Sequence, residues 1–360
     1  MRLFYFGNEK QKSDAYFEII FPLLSKYLRA GSYFVRRDWN GGPNYKIIFQ
    51  DQVINLDTFN NEYLTNFSNS YLVSHKALHK NIIAYKNLSA TIGELERTDA
   101  RDIDANNHLK TSIHPLDITQ IKKIYDSENH FKLQFEALSL AQIFVTTYAK
   151  KIRDTPLRRR YILLMQLMRV ILKYSKLPDK YAMVTYLSNS EGVLAIAKQN
   201  GLGDQFLHKY NLLYDALPID ELAHPEKAFA ELIEDWKELF DKINEKFHLY
   251  MEQGEVYEDG YYSKEERHNE LLKNMAKIES DFHEQALMQH LNIIENHKMQ
   301  QDFRFLVNIE YQILHMMDIT FKERAFLCHA LCRAIMAETN TSWQEIIAER
   351  NDMLAAKNEK

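Results

Sequence analysis

The chain of 360 residues is poor in the residues that break or staple structure: two cysteines, seven prolines and ten glycines. Each shortage excludes something. Two cysteines, Cys328 and Cys332, spaced four apart on a helical pattern, can build neither a disulfide framework nor a four-ligand zinc site, and read as small buried apolar residues. No apolar run reaches the ~18 residues of a membrane-spanning helix, and MRLFYFGNEK lacks the apolar core of a signal peptide. A cytoplasmic protein is expected. Few glycines and prolines, beside 46% hydrophobic and 26% charged residues, point to an ordered, mainly helical chain. A basic excess is also missing: the net charge of −5 excludes binding of nucleic acid through overall charge.

Familiar catalytic signatures are missing too. Gly201-Leu202-Gly203 lacks the third glycine of a dinucleotide loop, and no P-loop, nucleophile elbow or zinc-protease helix motif occurs. His283, His290 and His297 stand seven apart, a rise of roughly 10 Å per step on a helix, too long for neighbours to share a metal. No cofactor and no metal are expected.

What the sequence does have is aromatic residues, 21 of them tyrosine, and one dense stretch, Ser32 to Gln50. Tyr33-Phe34-Val35 leads into Arg36-Arg37-Asp38-Trp39, turns through Asn40-Gly41-Gly42-Pro43 and returns as Tyr45-Lys46-Ile47-Ile48-Phe49. That is a strand, a glycine turn and a second strand. Its charged end, with Arg36, Arg37, Asp38 and Lys46, reads either as a solvated tip or as a receptor for an anionic or polar peptide. Before it lie a short strand over Arg2 to Gly7 and a helix capped by Ser13 or Asp14 and running to Arg29, where Pro22 predicts a kink.

Further along, Thr58 to about Tyr85 is helical in pattern, and Asn87 to Pro115 is a polar loop holding Asp99, Asp102, Asp104, Asn106 and Asn107. Asp117 to Ser127 is a short segment. Beyond residue 130 the spacing is helical throughout: Phe131–Ile152, Leu157–Ser175, Asp179–Gln199, Pro225–Gln253, Ser263–Lys298, Gln301–Met317, Phe321–Glu338 and Ser342–Lys360. The expected class is α+β, a small N-terminal antiparallel sheet with a hairpin followed by a large mainly helical region. Its portions are 1–130, with sheet and polar loop, and 131–360, together one compact domain. Two more features carry charge chemistry. Arg158-Arg159-Arg160 opens a helix, as a solvated run or as a carboxylate or phosphate contact. His315 ends an apolar helix face just before a break, where histidine serves either as a hydrogen-bonded core group or as a general acid or base.

The phrase Phe21-Pro-Leu-Leu, the stretch YFVRRDWNGGPNYKIIF and the tail Leu314-His315-Met316-Met317-Asp318-Ile319-Thr320-Phe321-Lys322-Glu323 together resemble the C-terminal domain of lanthipeptide dehydratases, the thiopeptide-type bacteriocin biosynthesis family. The resemblance touches both ends of the chain and its length suits a stand-alone member. Arg36 matches the arginine before the family's turn, Gly42 and Pro43 the turn, and His315 the family's histidine. Asn44 stands where the family has histidine, Lys46 and Ile48 where it has arginines, and the Asn-Arg that comes after the family's histidine is missing.

The resemblance implies tailoring of a ribosomally made peptide. The first reaction implied is elimination of glutamate from glutamylated Ser or Thr to give dehydroamino acids, a lyase reaction with Arg36, Lys46 and His315 catalytic and Arg37, Trp39, Asn44 and Tyr45 binding substrate. The second is the formal [4+2] cycloaddition that builds the pyridine of thiopeptides, for which Tyr33, Trp39 and Tyr45 would matter more. The third is a non-catalytic subunit that takes a leader peptide as an added strand. Partners implied are a precursor peptide with its leader and a glutamylating dehydratase subunit, without membrane or direct nucleic acid; a homodimer is left open.

Overall fold

The computed structural model describes residues 1–38, 41–50, 54–96, 102–115, 127–254, 280–285 and 301–358. The chain divides into two compact units, Met1–Lys150 with His315–Asp318, and Lys151–Leu314 with Ile319–Lys360.

The first unit holds the sheet: β1 (Arg2–Phe4), β2 (Tyr33–Asp38), β3 (Asn44–Phe49) and β4 (Thr111–Ser112), in the order β2-β3-β1-β4. Every pairing is antiparallel, and the hairpin register sets Arg36 opposite Lys46 and Arg37 opposite Tyr45. The expected small antiparallel sheet at the N-terminal end of a mainly helical chain is therefore present. Its turn depends on Gly42, at φ +107°, where a Cβ would come within 2.6 Å of the Phe6 ring. Only glycine fits both the angle and the space.

The helix after β1 starts earlier than Ser13 or Asp14 suggests. Asn8 is its cap: its side chain accepts from the Gln11 backbone N–H at 2.8 Å, and the Gln11 side chain accepts from the Asn8 N–H at 3.0 Å. This reciprocal box starts α1 at Glu9 (Glu9–Ala15). Pro22 does not produce a simple kink. A π-helical turn at Tyr16–Ile20 takes up the misfit, and Pro22 falls in the first turn of α2 (Phe21–Tyr27), where its missing N–H breaks no bond. Two phenols pin this helical layer to the hairpin. Tyr16 donates to the Val35 carbonyl at 3.1 Å, and Tyr45 to the Lys12 carbonyl at 2.6 Å.

The segment expected as one helix from Thr58 to Tyr85 is two, α3 (Leu56–Ser70) and α4 (His75–Glu96). Tyr71 leaves helical geometry, and Ser74 restarts the chain by accepting from the Ala77 N–H. Helix α4 also takes in the first ten residues assigned to the polar loop, and Thr111–Ser112, within that loop, forms β4. Tyr63 and Phe67 of α3 are buried, whereas Leu72, just past its end, is 70% exposed.

The remaining helices are α5 (Glu128–Asp154), α6 (Leu157–Leu172), α7 (Asp179–Ala182), α8 (Val184–Gln199), α9 (Gly203–Asp215), α10 (Ala230–Glu252), α11 (Gln301–Met316), α12 (Phe321–Thr339) and α13 (Trp343–Asn358). Helix α9 is not expected from the sequence, because the Gly201-Gly203 break hides the weaker period after it. Of the expected helix 263–298, only 280–285 lies among the described residues; His290 and His297 lie outside them.

In the second unit α6 is buried over most of its length, from Tyr161 to Met168, and Trp236 donates to its Leu167 carbonyl at 3.0 Å. Cys328 and Cys332 are fully buried free thiols. Two residues of the arginine run are bound in ion pairs, Arg159 to Glu226 at 3.4 Å and Arg160 to Glu323 at 3.0 Å. Among the described residues no helix is long and apolar enough to cross a membrane.

Candidate active site

The first unit gathers its charge at the turn end of the β2-β3 hairpin. Strand alternation sends Arg36 and Lys46 to one face and Arg37 and Tyr45 to the other. On the Arg37 face lies α1. Arg37 donates to Glu9 at 2.6 Å and also pairs with Asp318. Glu9 further accepts from Lys12 at 2.5 Å and from the Tyr85 hydroxyl at 3.1 Å, and the Lys12 ammonium sits 4.4 Å from the centre of the Tyr85 ring. Two cations thus share two carboxylates.

Burial and charge divide the work within this cluster. The Lys12 side chain is only 5% exposed; burial and the Arg37 charge beside it pull its pKa down to about 8, against the opposing pull of Glu9. Burial alone would lower Arg37, but the Asp318 and Glu9 carboxylates raise it above its usual value. Burial would raise Glu9, yet Lys12 and Arg37 hold it low.

His315 joins through the backbone. Its ring Nε2 lies 3.2 Å from the Arg37 carbonyl oxygen. A carbonyl only accepts, so Nε2 carries the proton and Nδ1 keeps its lone pair. The ring reaches water, but protein crowds it. That desolvation, with the charges of Arg37 and Arg36, lowers its pKa against the opposing pull of its bond to the Arg37 carbonyl and of Asp318. Its surroundings favour the uncharged imidazole. The apolar period places His315 at the end of its helix, as the structure does, but nothing local marks its partner, 278 residues earlier.

The other expected site residues separate. Arg36 is half-buried and makes no ion pair among the described residues; its charge acts on His315. Lys46 is turned to Asp38, 3.8 Å away. Asn44 and Tyr45, expected to bind substrate, are 3% and 2% exposed. Asn44 donates to the Gly42 carbonyl at 2.9 Å, and Tyr45 stacks on Tyr16 with ring centres 5.4 Å apart. Asn44 thus serves the turn, and Tyr45 serves the contact of the hairpin with the layer of α1 and the π-helical turn. Tyr33 is likewise buried. Trp39 lies outside the described residues.

Neither a profile of a known family nor a curated protein matches this sequence. Solved structures do. The pyridine synthase TbtD from thiomuracin biosynthesis superposes with a TM-score of 0.58 at 14% identity, over 93% of this chain and 96% of its own. The chain has the fold of TbtD. TsrL superposes with a TM-score of 0.54 at 13% identity, over 96% of this chain and 97% of its own. Coverage near the full length of both chains makes the TbtD-like fold a property of the whole molecule. At such identity the likeness extends to the fold and no further.

The edge of the TbtD-like sheet is partly closed to an added strand. On β2 the Val35 N–H donates to Gln142 at 2.9 Å, the Val35 carbonyl accepts from Tyr16, and the Arg37 carbonyl is held by His315. Two concavities lie elsewhere. One of about 300 Å³ in the first unit is lined by Arg2, Asp102, Lys110, Thr111 and His114 among others, and one of about 390 Å³ in the second by Ser188, Asn189, His283, Tyr311 and Phe321 among others. Among the described residues no cluster of three histidine, cysteine or acidic side chains could hold a metal.

Proposed function

We propose that this protein tailors a ribosomally synthesised peptide by closing a six-membered nitrogen ring in a formal [4+2] cycloaddition, at the site formed by His315 and Arg36. The observation that carries the reading is the geometry of His315, with Nε2–H held by the Arg37 carbonyl and Nδ1 open, in a surrounding that favours the neutral ring. Such a ring closure requires a peptide amide beside a dehydroamino acid to take its imidic form, so a base must move the amide proton while a cation steadies the oxygen. His315 Nδ1 is the base in this scheme and Arg36 the cation. The fold shared with a protein named as a pyridine synthase supports the reaction class, as does the low free positive charge. Arg37 is neutralised by Glu9 and Asp318 and Lys46 faces Asp38, so the site is poorly equipped for the anionic leaving group that glutamate elimination releases.

Glutamate elimination is the second reading, favoured by Arg36, whose charge reaches His315 without a carboxylate partner among the described residues. The deciding experiment offers the protein two precursor peptides and reads mass. Ring closure with leader release from a peptide carrying dehydroamino acids supports the first reading. Loss of glutamate from a glutamylated peptide supports the second. Binding of both peptides unchanged overturns both and makes the protein a non-catalytic peptide-binding subunit.

A further inference from the structure

Asp318 occupies its position against three physical preferences. It sits just past the C-terminus of α11 in the left-handed region, φ +65°, a conformation that glycine or asparagine adopts more cheaply. The chain closes the helix there in a Schellman arrangement, Asp318 N–H to the His315 carbonyl and Ile319 N–H to the Leu314 carbonyl, each 3.0 Å. A carboxylate at this end also faces the negative pole of the helix. Finally, its side chain is only 11% exposed, which desolvates the charge. An outlier that the local sequence would not choose points to a task.

That task is centred on Arg37. Asp318 binds the Arg37 guanidinium, while three residues back His315 binds the Arg37 carbonyl. The segment His315–Asp318 therefore meets one residue of β2 at two points, side chain and backbone. One hydrogen bond leaves an imidazole free to swing about it; a second tie between the same two segments removes that freedom.

We propose that Asp318 is a positioning residue, which by gripping Arg37 fixes the orientation and tautomer of His315 and so presents Nδ1 to the substrate. This deepens the role given to His315 under the proposed function and rests on it for its chemical meaning, though the geometric claim stands without any substrate. The charged groups facing His315 are Arg36 and Arg37 from β2 and Asp318 from its own segment; Lys12 and Glu9 from α1 complete the cluster around Arg37.

The test is an NMR titration of the imidazole nitrogens in the full-length protein, the His315 signals being assigned by their loss in His315→Gln. In the parent protein His315 shows the Nε2–H tautomer and a pKa below the ordinary value of about 6.5. Asp318→Asn keeps a residue that tolerates positive φ and removes the charge. If Asp318 only supplies a nearby negative charge, its loss lowers the His315 pKa further and leaves the tautomer unchanged. If it positions the ring, the bond to the Arg37 carbonyl loosens and the two nitrogens average, whichever way the pKa moves. The second result is expected; the first, or no change, overturns the proposal. Asp318→Gly, which also relieves the backbone, is to show the same averaging of the His315 nitrogens with the melting temperature kept or raised, which separates positioning from loss of fold. Failure of every precursor peptide to react would overturn the reaction proposed above and leave this titration untouched.

Discussion

The imidazole of His315 donates from Nε2 to the carbonyl oxygen of Arg37, 3.2 Å away. The bond dictates which nitrogen can act. His315→Gln can retain a donor to that carbonyl but has no basic nitrogen. If the proposed ring closure holds, turnover of a dehydroamino-acid peptide falls by about 10² to 10⁴ with peptide affinity kept; unchanged turnover would remove His315 from the chemistry.

Arg36 and Lys46 face each other across the hairpin but are not equivalent. Under the proposed reaction, Arg36→Gln lowers kcat on the order of 10²-fold, as removal of a charge-stabilising donor does. Lys46→Gln changes it much less, because Lys46 is already turned to Asp38. Equal losses in the two variants would contradict the division.

Lys12 makes stability depend on pH. Its folded pKa, about 8, lies below the unfolded value near 10.4, so between these values the unfolded chain binds more protons and stability rises with pH. The strain below pH 8 is roughly 3 kcal/mol by this linkage. Chemical unfolding of Lys12→Met between pH 8 and 10 is expected to lose that rise, with stability at pH 7 equal to or above the parent's.

In the second unit Glu310 is fully buried and its carboxyl is raised well above the usual range by burial, against weaker pulls from Tyr186 and Arg324. The Tyr186 hydroxyl lies 3.1 Å from the Met168 carbonyl and 2.5 Å from Glu310. One hydroxyl has one hydrogen. With Glu310 protonated, tyrosine donates to Met168 and the carboxyl donates to tyrosine, so both bonds are made. A raised folded pKa means its contribution is complete below the unfolded pKa and is lost as pH climbs toward the folded one. Glu310→Gln should therefore raise the melting temperature more at pH 7.5 than at pH 4.5. The reverse order would show an ionised carboxylate.

Gly42→Ala tests the turn. A methyl group 2.6 Å from the Phe6 ring at φ +107° combines steric overlap with an unfavourable backbone region, and destabilisation of about 1–3 kcal/mol is expected by denaturant unfolding. A neutral result would mean that the Phe6 ring yields to the added methyl group.

Much of this molecule is local and so readable along the chain. The hairpin at 33–49 arises from β-rich runs flanking two glycines that can take positive φ, and the long helices arise from periodic apolar spacing. His315 stands out because it ends such a period before a break. Where local signals compete, the chain misleads: Ser13 and Asp14 draw attention from the true cap at Asn8, polar residues after Asn87 mask the continuation of α4, and glycines hide α9.

What only the tertiary structure decided is which of the readable residues meet. Period two sorts hairpin residues onto two faces but does not say which face a helix will cover, and that choice buried Tyr45 and placed Arg37 against Glu9. Asn44 was spent on the turn itself. The contacts that define the site, Arg37 with Asp318 and with His315, join positions about 280 residues apart. No spacing rule reaches that far, because side-chain periodicity records only the neighbours within one strand or helix. The chain alone determined that an arginine-rich hairpin and a helix-ending histidine exist; packing determined that a single strand residue, Arg37, would hold both His315 and Asp318.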